Sequence, residues 1–323
     1  MTADVLARRK FGQTELMVPP IAVGCAPLGD MKDTFLYSVS EEDALATIRA
    51  ALDSPLNYLD TAALYGDGES ERRIGLVLRE RGGLPAGAML QTKQGRDPKT
   101  NDYSGETVKR RMERSLKLLG VDHVPVVFLH DAEWTTFEAA MAPGGPVEVL
   151  QKFKEEGVIG HLGVASGPND VELQYIKTGI FDAVITHNRY TLLTRVAEPV
   201  IEEAHRRGMA VLNAAPYGSG MLVKGPDAYP RYAYQQASPE MIERTRQIAD
   251  ICARYNVPMA AAALQFSLRD PRITVTIVGM SRPERIQETI AYATHPIPQE
   301  LWDELLALPT FDQEDPEAHR WSR

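Results

Sequence analysis

Short runs rich in Val, Ile and Leu recur along the chain, separated by stretches whose apolar residues fall at helical spacing. The runs are PPIAVGC (19–25), NYLD (57–60), AMLQTK (88–93), VPVVFLH (124–130), HLGVAS (161–166), DAVITHN (182–188), MAVLNAA (209–215) and ITVTIVG (273–279). Between them lie amphipathic segments such as EEDALATIRAAL, SERRIGLVLRERG, TVKRRMERSLKLLG, PVEVLQKFKEEG and PERIQETIAYA. Strands that read as continuous apolar runs are buried on both faces, and their alternation with helices predicts parallel pairing. Gly82, Gly120, Gly157, Gly179 and Gly208 end predicted helices, at the position where a left-handed backbone suits glycine. Eight such units without a break in composition predict an α/β fold, a closed (β/α)8 TIM barrel. The rival is an open doubly wound sheet, which would carry G-x-G-x-x-G after its first strand; GCAPLGD does not match.

Some segments exceed the minimal barrel. RRKFGQTELMV, within residues 8–18, predicts an N-terminal β-hairpin over the barrel bottom. Residues 223–238, VKGPDAYPRYAYQQAS, form a Pro- and Tyr-rich loop leaving the seventh strand, where barrels place substrate contacts. PEMIERTRQIADICARY and PMAAAALQFSLRD predict two helices before strand eight, and the C-terminal tail 296–323 holds a short helical piece and then charges. All of residues 1–323 are expected to form one barrel domain.

Composition narrows the class. With 44% hydrophobic residues the chain has ample material for a core. Its net charge of −9 argues against a nucleic-acid partner, which needs an excess of Lys and Arg. Cys25 and Cys252 are far apart in apolar contexts and predict buried thiols rather than a disulfide or a metal site. The opening MTADVLARRKFG lacks the apolar core of a signal peptide, and no apolar stretch approaches the ~18 residues of a membrane span. A soluble, cytoplasmic protein without membrane partners is expected, either a monomer or a weak homo-oligomer.

The chemistry gathers at strand ends, which in a parallel barrel share one face. Strands two, three and four end in Asp60, Lys93 and His130, and Tyr65 sits a short loop beyond Asp60. A lone Asp is better explained as a turn cap, a lone Tyr as surface packing, and a lone His as a satisfied core residue. Four ionisable types at three successive strand ends point instead to one site. A phenol, with pKa about 10, is a poor proton carrier at neutral pH. A nearby ammonium is expected to lower that value, with the carboxylate holding the ammonium in place. His130 can orient a substrate oxygen. This set suits proton transfer at a hydroxyl or carbonyl oxygen. It supplies no covalent nucleophile and no metal set, so electrons must come from a cofactor.

These motifs, LDTAALYG-x-x-E with the lysine of LQTK and the histidine of VFLH, resemble the aldo-keto reductase family over nearly the whole chain. The resemblance implies Tyr65 as acid/base, Lys93 and Asp60 as its tuning pair, and His130 as the substrate-orienting group. It also implies a nicotinamide cofactor. Ser166 would bind the carboxamide, Gly167 standing where the family often has Asn. The amide-binding Gln falls on His187, with Asn188 as a neighbouring substitute, and the stacking aromatic falls on Ala214. APYGSGML resembles the pyrophosphate loop, through Tyr217, Gly218, Gly220 and Leu222. GMSRPERIQET resembles the adenosine-phosphate clamp, through Gly279, Met280, Ser281, Arg285 and Thr289. Gly279 replaces the lysine for the 2′-phosphate, which favours NAD, although Arg282 and Arg285 leave NADP open.

GCAPLGD, HDAEW, FEAAMAPGGP and HNRYTLL further resemble the family's bacterial aldose dehydrogenases. They imply oxidation of a cyclic hemiacetal, such as L-fucose, another D-threo-aldose or pyridoxal, to a lactone. Two other readings stand beside this one. One is an NADPH-dependent aldehyde or ketone reductase. The other is a nucleotide-sensing binding subunit like the family's channel β-subunits.

Overall fold

The computed structural model describes residues 5–313 and 315–318. Residues 1–4 of the opening segment, and position 314 and residues 319–323 of the predicted tail, lie outside the described residues. Eight strands close into a parallel ring: β1 (Ile21–Gly24), β2 (Tyr58–Asp60), β3 (Met89–Gln94), β4 (Val124–His130), β5 (Ile159–Ala165), β6 (Ala183–His187), β7 (Ala210–Ala214) and β8 (Val275–Gly279). β8 pairs with both β7 and β1, which closes the ring and rules out the open sheet.

The helices follow from amphipathic spacing. In α1 (Glu41–Leu52) the buried residues Ala44, Thr47, Ile48, Ala51 and Leu52 form one stripe, and the Ser40 hydroxyl caps the Asp43 N–H at 3.0 Å. α2 (Glu69–Glu80), α3 (Gly105–Leu119), α4 (Pro146–Glu155), α5 (Asn169–Thr178) and α6 (Glu198–Arg206) repeat the pattern around the ring. All five glycines expected at helix ends have positive φ. Before β8 come two helices, α7 (Pro239–Arg254) and α8 (Met259–Leu268), and α8 is buried almost all round. α9 (Glu284–Thr294) and α10 (Gln299–Ala307) follow β8. Residues 223–238 are more ordered than a plain loop. They begin inside a one-turn helix, Met221–Lys224, and contain a short hairpin pairing Arg231–Tyr232 with Gln235–Gln236.

Two apolar layers result. One lies between the ring and its helices, and the other fills the barrel interior with Tyr58, Met89, Val126, Phe128, Leu212 and Val275 among its members. Phe128 needs the room left at Gly163, where a Cβ would sit 2.2 Å from its ring. The predicted hairpin forms from Arg9–Lys10 and Met17–Val18, and its Phe11 is buried in the interior layer. Both cysteines are free and buried. Among the described residues no helix is long and apolar enough to cross a membrane.

Candidate active site

At the C-terminal mouth the period of two puts Asp60, Lys93 and His130 on the inward face of their strands. Lys93 Nζ lies 2.6 Å from Asp60 Oδ1 and donates to Tyr65 Oη at 3.0 Å and to the Thr61 carbonyl at 2.9 Å. All three ammonium protons thus have acceptors. Because Lys93 donates to the Tyr65 oxygen, the phenolic proton stays available to a ligand. The Tyr65 and His130 rings meet edge to face at 5.9 Å. The structure therefore brings all four residues expected at the strand ends into one cluster.

Beneath them runs a polar column. Gln91 Nε2 donates to Asp60 Oδ1 at 2.6 Å, and Tyr58 Oη donates to Gln91 Oε1. Every member is buried, so the Asp60 carboxylate is fixed from below by an amide and from above by the ammonium.

The electrostatics differ from the simple expectation for the phenol. Burial, reinforced by the Asp60 carboxylate, pushes Tyr65 well above the ordinary tyrosine value. The expected lowering by Lys93 does not win, because its charge is matched by Asp60 at 2.6 Å while desolvation of the phenolate is uncompensated. Burial lowers His130 to about 4 against the upward pull of Asp131, so at neutral pH its imidazole is uncharged. The unliganded cluster is thus a neutral phenol beside a neutral imidazole.

These groups line a cavity of about 520 Å³. Loops from two strands roof it. Phe35, after β1, meets Tyr37 at 5.9 Å and Tyr234, after β7, at 6.2 Å. Lys224 lies over the Tyr229 ring at 4.3 Å and the Tyr37 ring at 5.7 Å. Arg282 and Arg285 also line the cavity at the start of α9, where the helix dipole favours anions; Arg285 pairs with Glu288 at 3.0 Å.

Of the residues expected to hold a nucleotide, His187, Tyr217, Gly220, Gly279, Ser281, Arg285 and Thr289 line this cavity, as does Ala214. Ser166, Asn188, Gly218, Leu222 and Met280 do not. The Ser166 hydroxyl donates instead to Glu133 Oε2 at 2.6 Å, and the Asn188 Oδ1 accepts from Ser219 at 3.0 Å. At Gly218 a Cβ would fall 2.1 Å from the Tyr232 ring, so packing of that tyrosine already demands the glycine. The N–H groups of Gly218, Gly220 and Leu222 donate to Ala215 and Tyr217 carbonyls inside their own turn. Leu222 and Met280 are buried, and the Met280 N–H donates to the Gly24 carbonyl.

The family model for aldo/keto reductases matches residues 20–308, nearly all of the barrel. The chain belongs to the aldo/keto reductase family. Pyridoxal 4-dehydrogenase of Microbacterium luteolum is 30% identical to it, the match covering 92% of this chain and 96% of that protein. D-threo-aldose 1-dehydrogenase of a Pseudomonas species is 29% identical over 90% and 94% of the two chains. L-galactose dehydrogenase of Arabidopsis thaliana is 28% identical over 88% of each. An aldo-keto reductase of Bacillus halodurans, solved in its holo form, shares the fold with a TM-score of 0.76 at 21% identity, covering 95% of this chain and 99% of that one. Membership makes this protein an NAD(P)-dependent oxidoreductase.

The residues present in this aldo/keto reductase fit such a cofactor. Tyr217 lines the cavity, and its hydroxyl and Asn188 Nδ2 are buried without a hydrogen-bond partner among the described residues. Three cations, Lys224, Arg282 and Arg285, line the same cavity. Several contributors escaped the sequence reading. Gln91 was detectable, since it lies two residues before Lys93 on the same face of β3. Glu133, which accepts the Ser166 hydroxyl hydrogen bond, lies within the HDAEW run without a geometric clue. Glu317 had no signal at all: it comes from the tail, is fully buried, and binds His187 Nε2 at 2.8 Å and Arg189 Nη1 at 2.7 Å.

Proposed function

We propose that this aldo/keto reductase oxidises the anomeric hydroxyl of a neutral aldose, such as L-fucose or a related D-threo-aldose, to the lactone, with the pyridoxal hemiacetal as a second candidate. The observation that carries the reading is the contact of Lys93 Nζ with Tyr65 Oη at 3.0 Å, backed by Asp60. The names of the relatives support the direction, since they place dehydrogenation on pyridoxal, D-threo-aldose and L-galactose.

The bound nicotinamide supplies the hydride exchange. Tyr65 takes the anomeric proton as the C1–H hydride departs, and the carbon–oxygen bond becomes the lactone carbonyl. Lys93, positioned by Asp60 and Gln91, stabilises the phenolate form that accepts this proton. His130, uncharged, donates a hydrogen bond that orients the reacting oxygen. Because burial holds Tyr65 well above the ordinary tyrosine value, oxidation keeps rising with pH through the ordinary tyrosine range. Gly279, in place of a lysine, supports NAD as the nucleotide, with Tyr217, Ser281, Arg285, Thr289 and Gly220 holding it. A dissociation constant much lower for NADP than for NAD would overturn that preference.

One observation favours a second reading, aldehyde reduction. A neutral phenol with its proton free is already the acid that a carbonyl oxygen needs. The test is a panel of aldoses and pyridoxal with NAD and NADP, followed by reduced-nicotinamide absorbance, beside simple aldehydes with both reduced nucleotides. Lactone from an aldose is the expected result. Inert aldoses beside readily reduced aldehydes would replace the first reading with the second.

A further inference from the structure

The reacting end of the cavity keeps one carboxylate, Asp131, that no Lys or Arg among the described residues pairs with. Asp131 follows His130 directly at the end of β4, lines the cavity, and is one-fifth exposed. It adopts φ 53, a left-handed backbone that Asp tolerates better than most residues and that turns the chain sharply at the cavity wall. Its side chain lies 3.5 Å from His130 Nε2, and burial keeps that imidazole uncharged at neutral pH.

The cations nearby are committed elsewhere. Lys93 is bound to Asp60 at 2.6 Å. Arg96 stacks on Trp134 at 3.9 Å and donates to Asn101, and it does not line the cavity. Lys224 and Arg285 gather with Tyr37 at the start of α9. Phe35 and Tyr234 line the same cavity, their rings edge to face at 6.2 Å. A ligand there meets aromatic surface as well as a carboxylate acceptor.

We propose that Asp131 is the charge filter of the substrate site: it accepts hydrogen bonds from neutral hydroxylated substrates, tolerates cationic ones, and rejects those bearing a carboxylate or phosphate near the reacting carbon. In a poorly solvated pocket, like charges a few ångströms apart repel strongly, and specificity is often built from such repulsion. The aromatic faces suit the C–H surface of a sugar ring or a planar heterocycle. The inference rests on Tyr65 marking the reacting end, but it is independent of whether the enzyme oxidises or reduces.

The test uses three para-substituted benzaldehydes of similar shape, carrying methyl, trimethylammonio and carboxylate groups, reduced by the full-length enzyme and by Asp131→Asn. The wild type is expected to show kcat/KM for the neutral and cationic aldehydes about 10- to 100-fold above the anionic one. Asp131→Asn should shrink the neutral-to-anionic ratio by about tenfold, mainly through a lower KM for the anion. A change in His130 alone would alter all three rates together and leave the ratio untouched. Quenching of Trp fluorescence by the reduced nucleotide shows that the variant is folded. A ratio near one in the wild type, or one unchanged by Asp131→Asn, overturns the filter and leaves the proposed reaction standing. Failure of all three aldehydes and of every aldose removes the filter together with the reading of Tyr65.

Discussion

At the N-terminal mouth of the barrel, side chains answer backbone. Arg9 donates to the carbonyls of Ile273 and Leu268 at 2.7 and 2.9 Å, Arg8 donates to Met17 and Gly87, and Phe11 plugs the interior. At the C-terminal mouth, charges face a cavity, Tyr217 Oη and Asn188 Nδ2 are buried without partners among the described residues, and the loops are strained. All the non-glycine residues with positive φ among the described residues, except Asn256, lie in loops that leave the C-terminal ends of strands. One end of the same ring is arranged for stability and the other for chemistry, as expected of barrels whose loops carry function.

The sharpest attack on this contrast is Tyr65→Phe. It should lower turnover by about 10²- to 10⁴-fold while nucleotide binding and the thermal midpoint stay near wild type. Steady-state kinetics with a melting curve check both halves, and near-normal turnover would break the assignment. Lys93→Met blurs the contrast in an informative way. It leaves the buried Asp60 carboxylate without its cation, which should cost about 3–5 kcal/mol in a denaturant titration as well as activity. Adding Asp60→Leu should restore most of the stability and none of the turnover.

At the other mouth, Arg9→Ala should cost about 1–3 kcal/mol, because two carbonyls lose a charged donor, while kcat/KM stays unchanged. A large activity loss there would erase the division of labour. The last effect concerns pH and is confined to acid. The folded value of His130, about 4, lies below its ordinary 6.5, so unfolding takes up a proton in that window. Its contribution is fully present above about pH 6.5 and is lost as pH falls toward about 4. Melting curves across that range should show a milder acid loss for His130→Gln than for the wild type.

The two mouths were also unequally legible in sequence. Strand ends can be read from apolar runs, so Asp60, Lys93 and His130 could be placed on one face before any coordinates, with Tyr65 one turn away. The hairpin at 8–18 was visible from its Gly-Gln turn. What could not be read was which partner captures a side chain once it arrives. Ser166 closes β5 as expected, yet Glu133, on a different loop, holds its hydroxyl. His187 is met by Glu317 from the tail, far away in sequence. Gly218, expected in the pyrophosphate loop, also leaves the room that the Tyr232 ring packs against. The sign of the Tyr65 shift was misjudged for a related reason. Spacing reveals that a lysine is near, but not that burial and Asp60 outweigh it. Roles fixed by backbone position were readable, whereas those decided by competition among distant side chains were not.

The central claim is that hydride leaves the anomeric carbon of a sugar held against Tyr65. Incubating the enzyme with C1-deuterated L-fucose and related aldoses, with NAD or NADP, and following the label by mass spectrometry tests it directly. Deuterium appearing in the reduced nicotinamide in step with lactone, and lost in Tyr65→Phe, is the predicted result. Reduced nucleotide without the label, or no lactone from any aldose while simple aldehydes are reduced, would contradict it.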